Sequence, residues 1–136
     1  MMAEAYLKSL HLHNVTVISS GTVADVFRES NKVHAPHILK HIDKYGIRQY
    51  AKDEPDQLTQ ARLDSTDITI CLNKIVADEC NQMFKMPKDT IIWDVSDVDE
   101  GSRIVKPGES RYQFVEETYE EITHNIDELL KDKKLT

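Results

Sequence analysis

Two short apolar stretches separated by a helical pattern constrain the fold of this chain more than any other feature. The stretches are 67–72, "DITICL", and 90–95, "TIIWDV", and both are rich in the β-branched residues that favour strands. Because two strands joined by a helix run parallel, the sequence predicts an α/β domain with a parallel sheet. Pro87 ends the intervening helical pattern, whose apolar members are Ile75, Val76, Cys80, Met83 and Phe84.

The chain contains further predicted elements before these strands. An apolar pattern predicts an amphipathic helix from the first residues to about Leu10, and β-branched residues predict a strand over Val15–Ser19. Pro36 opens a second helix, which Gly46 ends in a left-handed conformation. Pro55 opens a short helix that carries Leu58, Ala61 and Leu63.

The last predicted element is a long helix near the C-terminus. Ser110 and Gln113 fit a capping box at its start. Its apolar residues step by four and three positions, so they form one stripe that packs the helix on the sheet. These residues are Val115, Tyr119, Ile122, Ile126 and Leu129. The glutamates between them are predicted to face water: Glu116, Glu117, Glu120 and Glu121.

Length and charge narrow the possible functions. A chain of 136 residues with 40% apolar residues can form one hydrophobic core, so we expect a single domain over residues 1–136. It carries 17 basic and 24 acidic residues, a net charge of −7. Because this charge is repelled by phosphate backbones, nucleic acid is not an expected partner.

The sequence gives no indication of a signal peptide or a membrane span. Glu4 and Lys8 interrupt the apolar pattern of the first dozen residues, and no other stretch approaches the length needed to cross a bilayer. We therefore expect a cytoplasmic protein that does not bind a membrane. Cys71 and Cys80 are too few for a disulfide framework, so both are expected to stay reduced.

Six local motifs in this order resemble the low-molecular-weight protein tyrosine phosphatases and the related thioredoxin-linked arsenate reductases. They are "MAEA", "VISSGT", "KYGI", "QLTQARLDSTDITICL", "IIWDVSD" and "YQFVEETYEEITHNIDELL", and they extend over nearly the whole chain. The resemblance implies a three-layer α/β/α fold with a small parallel sheet. In that family a first strand and a loop of pattern Cys, five residues, Arg, Ser or Thr precede the "MAEA" segment.

This sequence has no such loop. No arginine stands six residues after Cys71 or Cys80, so the chain lacks the family's thiolate nucleophile, its phosphate-binding arginine and its first strand. We therefore expect a degenerate domain that is catalytically inactive as given and acts by binding or self-association. The alternative is an N-terminally truncated form of an active phosphatase or arsenate reductase.

The resemblance assigns two further positions. Asp97 falls where the family has its general acid, but Val98, Asp99 and Glu100 follow it instead of the family's proline, so its role is vestigial and a loop or cap carboxylate is the preferred interpretation. Ser20 matches a serine that hydrogen-bonds to the catalytic loop in the family.

Cys71 and Cys80 fall where arsenate reductases have two redox cysteines. Eight residues separate them here against six in the relatives, which favours two inert, buried thiols over a redox pair. A histidine face, formed by His34, His37 and His41, lacks the remaining ligands of a structural zinc, so we predict a solvated polar face, no metal and no cofactor.

The missing first strand also predicts a partner. Its two neighbours in the sheet would expose unpaired amide and carbonyl groups. The neighbours either close up or are joined by a surface of a second chain, and we expect a homodimer or a protein partner that fills the gap.

Overall fold

The computed structural model of the chain describes residues 2–27, 36–95 and 110–135. Its helices and strands follow in the order α1 (Met2–Ser9), α2 (Ala24–Phe27), α3 (Pro36–Lys44), a 3₁₀ turn (Arg48–Tyr50), α4 (Gln60–Asp64), β1 (Ile70–Cys71), α5 (Lys74–Met83), β2 (Ile91–Ile92) and α6 (Arg111–Lys133). The predicted helices at the N-terminus, after Pro36, between the strands and at the C-terminus are all present.

The two strands form a parallel pair, as predicted. Ile70 pairs with Ile91, and Cys71 pairs with Ile92. The Trp93 amide donates to the Cys71 carbonyl oxygen at 2.9 Å, so the pairing continues beyond the assigned strand. The α/β class is confirmed, although both strands are shorter than the sequence predicted.

Local signals in the sequence set the helix ends. Ser110 and Gln113 form the predicted capping box of α6. Gly46, with φ of 68°, ends α3 as predicted, and the next amide, of Ile47, donates to the Ile42 carbonyl oxygen at 3.1 Å. The Asn73 side chain caps α5 by accepting from the amide of Val76 at 2.9 Å.

The larger of two buried clusters, here called the helical core, lies between α1, α3 and α6. The stripe predicted for the last helix supplies four of its residues, and only Leu129 of that stripe is not among its fully buried members. Ile42, Val115 and Ile126 are fully inaccessible to solvent. The other buried members are Met2, Ala5, Ile38, Ile47, Val95, Tyr119 and Ile122.

The smaller cluster, here called the sheet cluster, lies between β1 and α5. It buries Cys71, Ala77 and Cys80, which are all small side chains. Leu58, Val76 and Met86 pack against it and are only partly buried. This side of the protein therefore buries much less apolar surface than the helical core.

The strand predicted over Val15–Ser19 is wrong. In the structure this segment forms no ladder, and an isolated parallel bridge joins Gly21 to Gln57 beyond it. A strand is stable only when its backbone groups pair with a neighbour, and β-propensity alone does not provide one.

The short helix predicted from Pro55 begins later, at Gln60. The Thr59 side chain accepts from the Arg62 amide at 3.2 Å and so marks the helix start. Pro55 and Leu58 precede the helix, because the bridge at Gln57 holds this part of the chain in an extended course.

Two predictions of solvent exposure are also wrong. His41 is fully buried rather than part of a solvated face, and its ring lies against that of Tyr112 with centroids 4.3 Å apart. Glu116 is partly buried, because α3 packs beside it and both Lys44 and Tyr45 donate to its carboxylate. Those two hydrogen bonds lower the pKa of Glu116 to about 2.

None of the helices in the described ranges combines the length and the apolar character that a membrane span requires.

Candidate functional site

A groove of about 510 Å³ lies between the helical core and the sheet cluster. One wall is the segment 17–22, and the other is the segment 68–72, which contains β1. Helices contribute part of the remaining apolar lining, including Leu7, Leu63, Val76 and Ile126. Trp93, the one tryptophan of the chain, also lines the groove.

The first wall has the side-chain pattern of a strand without a strand's pairing. Val15, Val17 and Ser19 are half-buried, whereas the residues between them are exposed. Among the residues that the structure describes, no backbone hydrogen bond is made by Val17 or Ile18. Pairing begins only at Gly21, whose amide donates to the Asp56 carbonyl oxygen at 2.9 Å. This wall is therefore a segment without strand pairing at Val17 and Ile18 in the described part of the chain.

The second wall is the outer edge of β1. The amide of Ile91 donates to the Thr69 carbonyl oxygen at 2.9 Å, and Cys71 also bonds toward β2. Successive residues of a strand direct their backbone groups to opposite edges, so those of Ile70 face away from β2 and toward the groove. The groove thus lies between this unpaired segment and one edge of β1.

Charged and hydroxyl side chains close one end of the groove. Arg62 Nε donates to Ser20 Oγ at 2.8 Å, and Arg62 Nη2 donates to the Ser19 carbonyl oxygen at 3.2 Å. Lys52 Nζ donates to the same carbonyl oxygen at 2.8 Å and to Asp56 at 2.7 Å. The structure thus places Ser20, a predicted binding residue, against Arg62.

Glu4 is the buried charge of this network. Its side chain is 4% exposed and accepts from Lys8 at 2.5 Å, from Lys52 at 3.1 Å and from the Ser19 hydroxyl. Burial alone would raise the pKa of Glu4, but these hydrogen bonds and the Lys52 charge outweigh it and lower the pKa. Sequence reasoning missed this residue, although its i,i+4 spacing to Lys8 was a signal.

Cys71 and Cys80 come together in the sheet cluster beside the groove, and both are free and buried. Burial, the charge of Cys80 and a hydrogen bond to it raise the pKa of Cys71 to about 11. Burial also raises the pKa of Cys80. Both are therefore thiols at neutral pH, and neither is an activated nucleophile.

Asp97 and His34 lie outside the described residues, as does the side chain of His37. In the described ranges, no group of three or more histidine, cysteine or acidic side chains is placed to hold a metal ion.

The described lining of the groove combines hydroxyl, charged and apolar groups. No histidine lines it among the described residues, and its serine hydroxyls are hydrogen-bonded to Glu4 and Arg62. The walls offer unpaired backbone groups above an apolar lining, and these features suit a polypeptide ligand.

Comparison with known proteins gives one match. The family model described as low molecular weight phosphotyrosine protein phosphatase matches residues 1–135. No curated protein and no solved structure matches the chain.

Proposed function

Because the chain belongs to the low molecular weight phosphotyrosine protein phosphatase family, we propose that its 136 residues form a phosphatase-like domain without phosphatase activity of its own, which acts by binding another polypeptide. The observation that carries this proposal is the groove, which lies between the unpaired segment 17–20 and an edge of β1 and contains no activated nucleophile among the described residues.

The two cysteines support the absence of activity. Ala77 and Met86 stand six residues after Cys71 and Cys80, so neither cysteine has the arginine that would bind a phosphate beside it. Buried thiols of raised pKa are also poor nucleophiles at neutral pH.

The sequence around Asp97 supports the same proposal. Asp94, Asp99 and Glu100 place three further negative charges near the candidate general acid. A phosphorylated substrate would be repelled by this group of charges. We propose that Asp97 is a loop carboxylate without a catalytic role.

We propose binding through the groove because unpaired backbone groups along its walls can form hydrogen bonds with a partner. The partner is either a second copy of the chain or another protein. The prediction of a homodimer is tested by light scattering at micromolar concentration, where a monomer mass would count against self-association.

Hydrolysis of p-nitrophenyl phosphate tests the absence of activity. The purified 136-residue protein is expected to release nitrophenol no faster than buffer, and Cys71→Ser, Cys80→Ser and Asp97→Asn are expected to change nothing. Hydrolysis by the wild-type protein that any of these variants reduces would overturn the proposal. An active phosphatase of the same family serves as the positive control.

A further inference from the structure

We propose that Cys71, Cys80 and Met86 form a binding site for a soft monovalent metal ion, Cu(I), with two thiolates and one thioether as its ligands. The site lies in the sheet cluster and does not depend on what the groove binds. Metal binding would be a second property of the chain, beyond the proposed binding of a polypeptide.

The fold brings together three sulfur side chains from different elements. Cys71 belongs to β1, Cys80 to α5, and Met86 to the segment that joins α5 to β2. Both cysteines are free and are buried members of the sheet cluster, and Met86 packs against that cluster. A hydrogen bond joins the two thiols. Their sulfur atoms are therefore close enough to share one small ligand.

The chemical type of these ligands selects the kind of ion. Thiolate and thioether sulfur suit Cu(I), whereas Mg²⁺ and Ca²⁺ take oxygen ligands. A structural Zn²⁺ takes four ligands, and the described ranges contain no group of three or more histidine, cysteine or acidic side chains that could hold a metal ion. Two cysteines and a methionine thus fit an ion that accepts few ligands, all of them sulfur.

The apolar surroundings strengthen this selection. Ala77 is buried in the same cluster, and Leu58 and Val76 pack against it. An apolar shell controls the access of solvent to a metal site and tunes its redox potential. Because water and oxygen ligands are kept away, an ion held by these sulfur atoms is stabilised as Cu(I).

A cavity beside the sheet cluster gives the ion a path to its ligands. Cys71 and Met86 both line this cavity, whose volume is about 290 Å³. Its other lining residues include Asn81, Lys88 and Thr90, which carry polar side chains. The ion can thus approach the buried Cys71 thiol past polar groups at the surface.

Binding exchanges two protons for one metal ion. Each thiol gives its proton to solvent as its sulfur bonds to Cu(I), and no electron is transferred. Burial disfavours an isolated thiolate, but a coordinated thiolate has the positive charge of the metal beside it. Thiols that are poor nucleophiles at neutral pH can therefore still be metal ligands.

Anaerobic titration of the reduced full chain with Cu(I) tests the proposal. A chromophoric Cu(I) chelator competes for the ion and gives the affinity, and X-ray absorption at the copper edge identifies the ligand atoms. We expect one Cu(I) per chain, sulfur as the only ligand element, and a rise in Tm with Cu(I) concentration. Oxygen or nitrogen ligands, or several ions bound with equal affinity, would overturn the proposed site.

Four variants locate the ligands. Cys71→Ala and Cys80→Ala should each lower the Cu(I) affinity on the order of a hundredfold or more, because each removes a thiolate. Met86→Leu keeps an apolar side chain of similar volume and removes the thioether, so the affinity should fall on the order of tenfold. Met83→Leu is its matched control, because Met83 is 51% exposed and belongs to neither buried cluster.

The control should bind Cu(I) as the wild type does, and urea unfolding checks that all four variants fold. Unchanged affinity in either cysteine variant would overturn the site. Equal affinity of the two methionine variants would remove Met86 from it and so contradict the proposed ligand set.

Two further measurements separate metal binding from other reactions of the thiols. After the chelator has removed the copper, both cysteines of the unfolded chain should react with Ellman's reagent, whereas a disulfide would overturn coordination. Zn²⁺ should bind on the order of a hundredfold more weakly than Cu(I), and equal affinity would overturn the choice of ion. None of these outcomes depends on hydrolysis of p-nitrophenyl phosphate, which tests the proposed function alone.

Discussion

The helical core and the sheet cluster are built from one chain but are filled to different degrees. The helical core buries ten side chains, among them Ile42, Val115 and Ile126 with no accessible surface. The sheet cluster buries three small side chains beside a groove of about 510 Å³. The described part of the protein therefore buries a large apolar cluster on one side and borders a groove on the other.

The difference follows from how helices and strands satisfy their backbones. A helix bonds its own amides and carbonyls, so α1, α3 and α6 need only apolar stripes to pack together. A strand bonds to its neighbours, so β1 is satisfied on the edge toward β2 and has no strand on its other edge among the described residues. We infer that the helical core contributes more to the stability of the fold than the sheet cluster does.

The largest predicted effect tests the helical core. Ile42→Ala should lower the free energy of unfolding by about 3 kcal/mol, because it removes a fully buried side chain and leaves a cavity. Leu58→Ala, its control in the sheet cluster, should cost about 1 kcal/mol, since Leu58 is only partly buried and already borders the groove. Urea unfolding of both variants measures the difference, and equal losses would contradict the contrast between the regions.

A loss of stability of intermediate size is predicted at Glu4, which lies on α1 and lines the groove. Glu4→Gln should lower the free energy of unfolding by about 2 kcal/mol, because it removes the charge that Lys8 and Lys52 bind. Part of the hydrogen bonding of these two lysines is then left unsatisfied. Ser9→Ala serves as the control, because the Ser9 hydroxyl donates a hydrogen bond to the Tyr6 carbonyl oxygen within the same helix.

The pH dependence of the Glu4 effect has a definite sign. The pKa of Glu4 is lowered from its ordinary value of 4.5, so the native state favours the ionised form more than the unfolded state does. Its contribution is complete above pH 4.5 and is lost as the pH falls through the lowered folded pKa. The stability difference between wild type and Glu4→Gln should therefore shrink in acid, and a constant difference would count against the buried ion pair.

The smallest predicted effect concerns the thiols of the sheet cluster. Cys71→Ala should change stability by less than about 1 kcal/mol, because little apolar volume is removed. In the native protein, iodoacetamide should modify Cys71 and Cys80 slowly at neutral pH and quickly after unfolding, since both thiols are buried and their pKa values are raised. Mass spectrometry measures the modification. Rapid modification of the native protein would contradict the prediction and would indicate that the sheet cluster opens to solvent.

Local signals made much of the fold predictable. Ser110 and Gln113 fix the start of α6, and Gly46 fixes the end of α3, because each acts on backbone groups a few residues away. The parallel pair was predictable from β1, β2 and the helix between them. Such features depend on short stretches of chain and need no knowledge of distant contacts.

Features that depend on distant neighbours were not predictable. Val15–Ser19 has the composition of a strand, yet no described strand lies beside it. His41 and Glu4 are polar residues in amphipathic helices, and only the packing of α6 and of the 17–22 wall reveals that both are buried. Of the candidate site, Ser20, Cys71 and Cys80 were identified in advance, but Arg62 and Glu4 were not.

The sequence by itself determined the family, the α/β class, the start of α6, the end of α3 and the absence of a Cys, five residues, Arg pattern from these 136 residues, because these depend on residue identity and short-range spacing. Only the tertiary structure decided that segments 17–22 and 68–72 face each other across an open groove. The reason is physical: a backbone amide becomes an open edge or a paired one according to what the fold brings beside it.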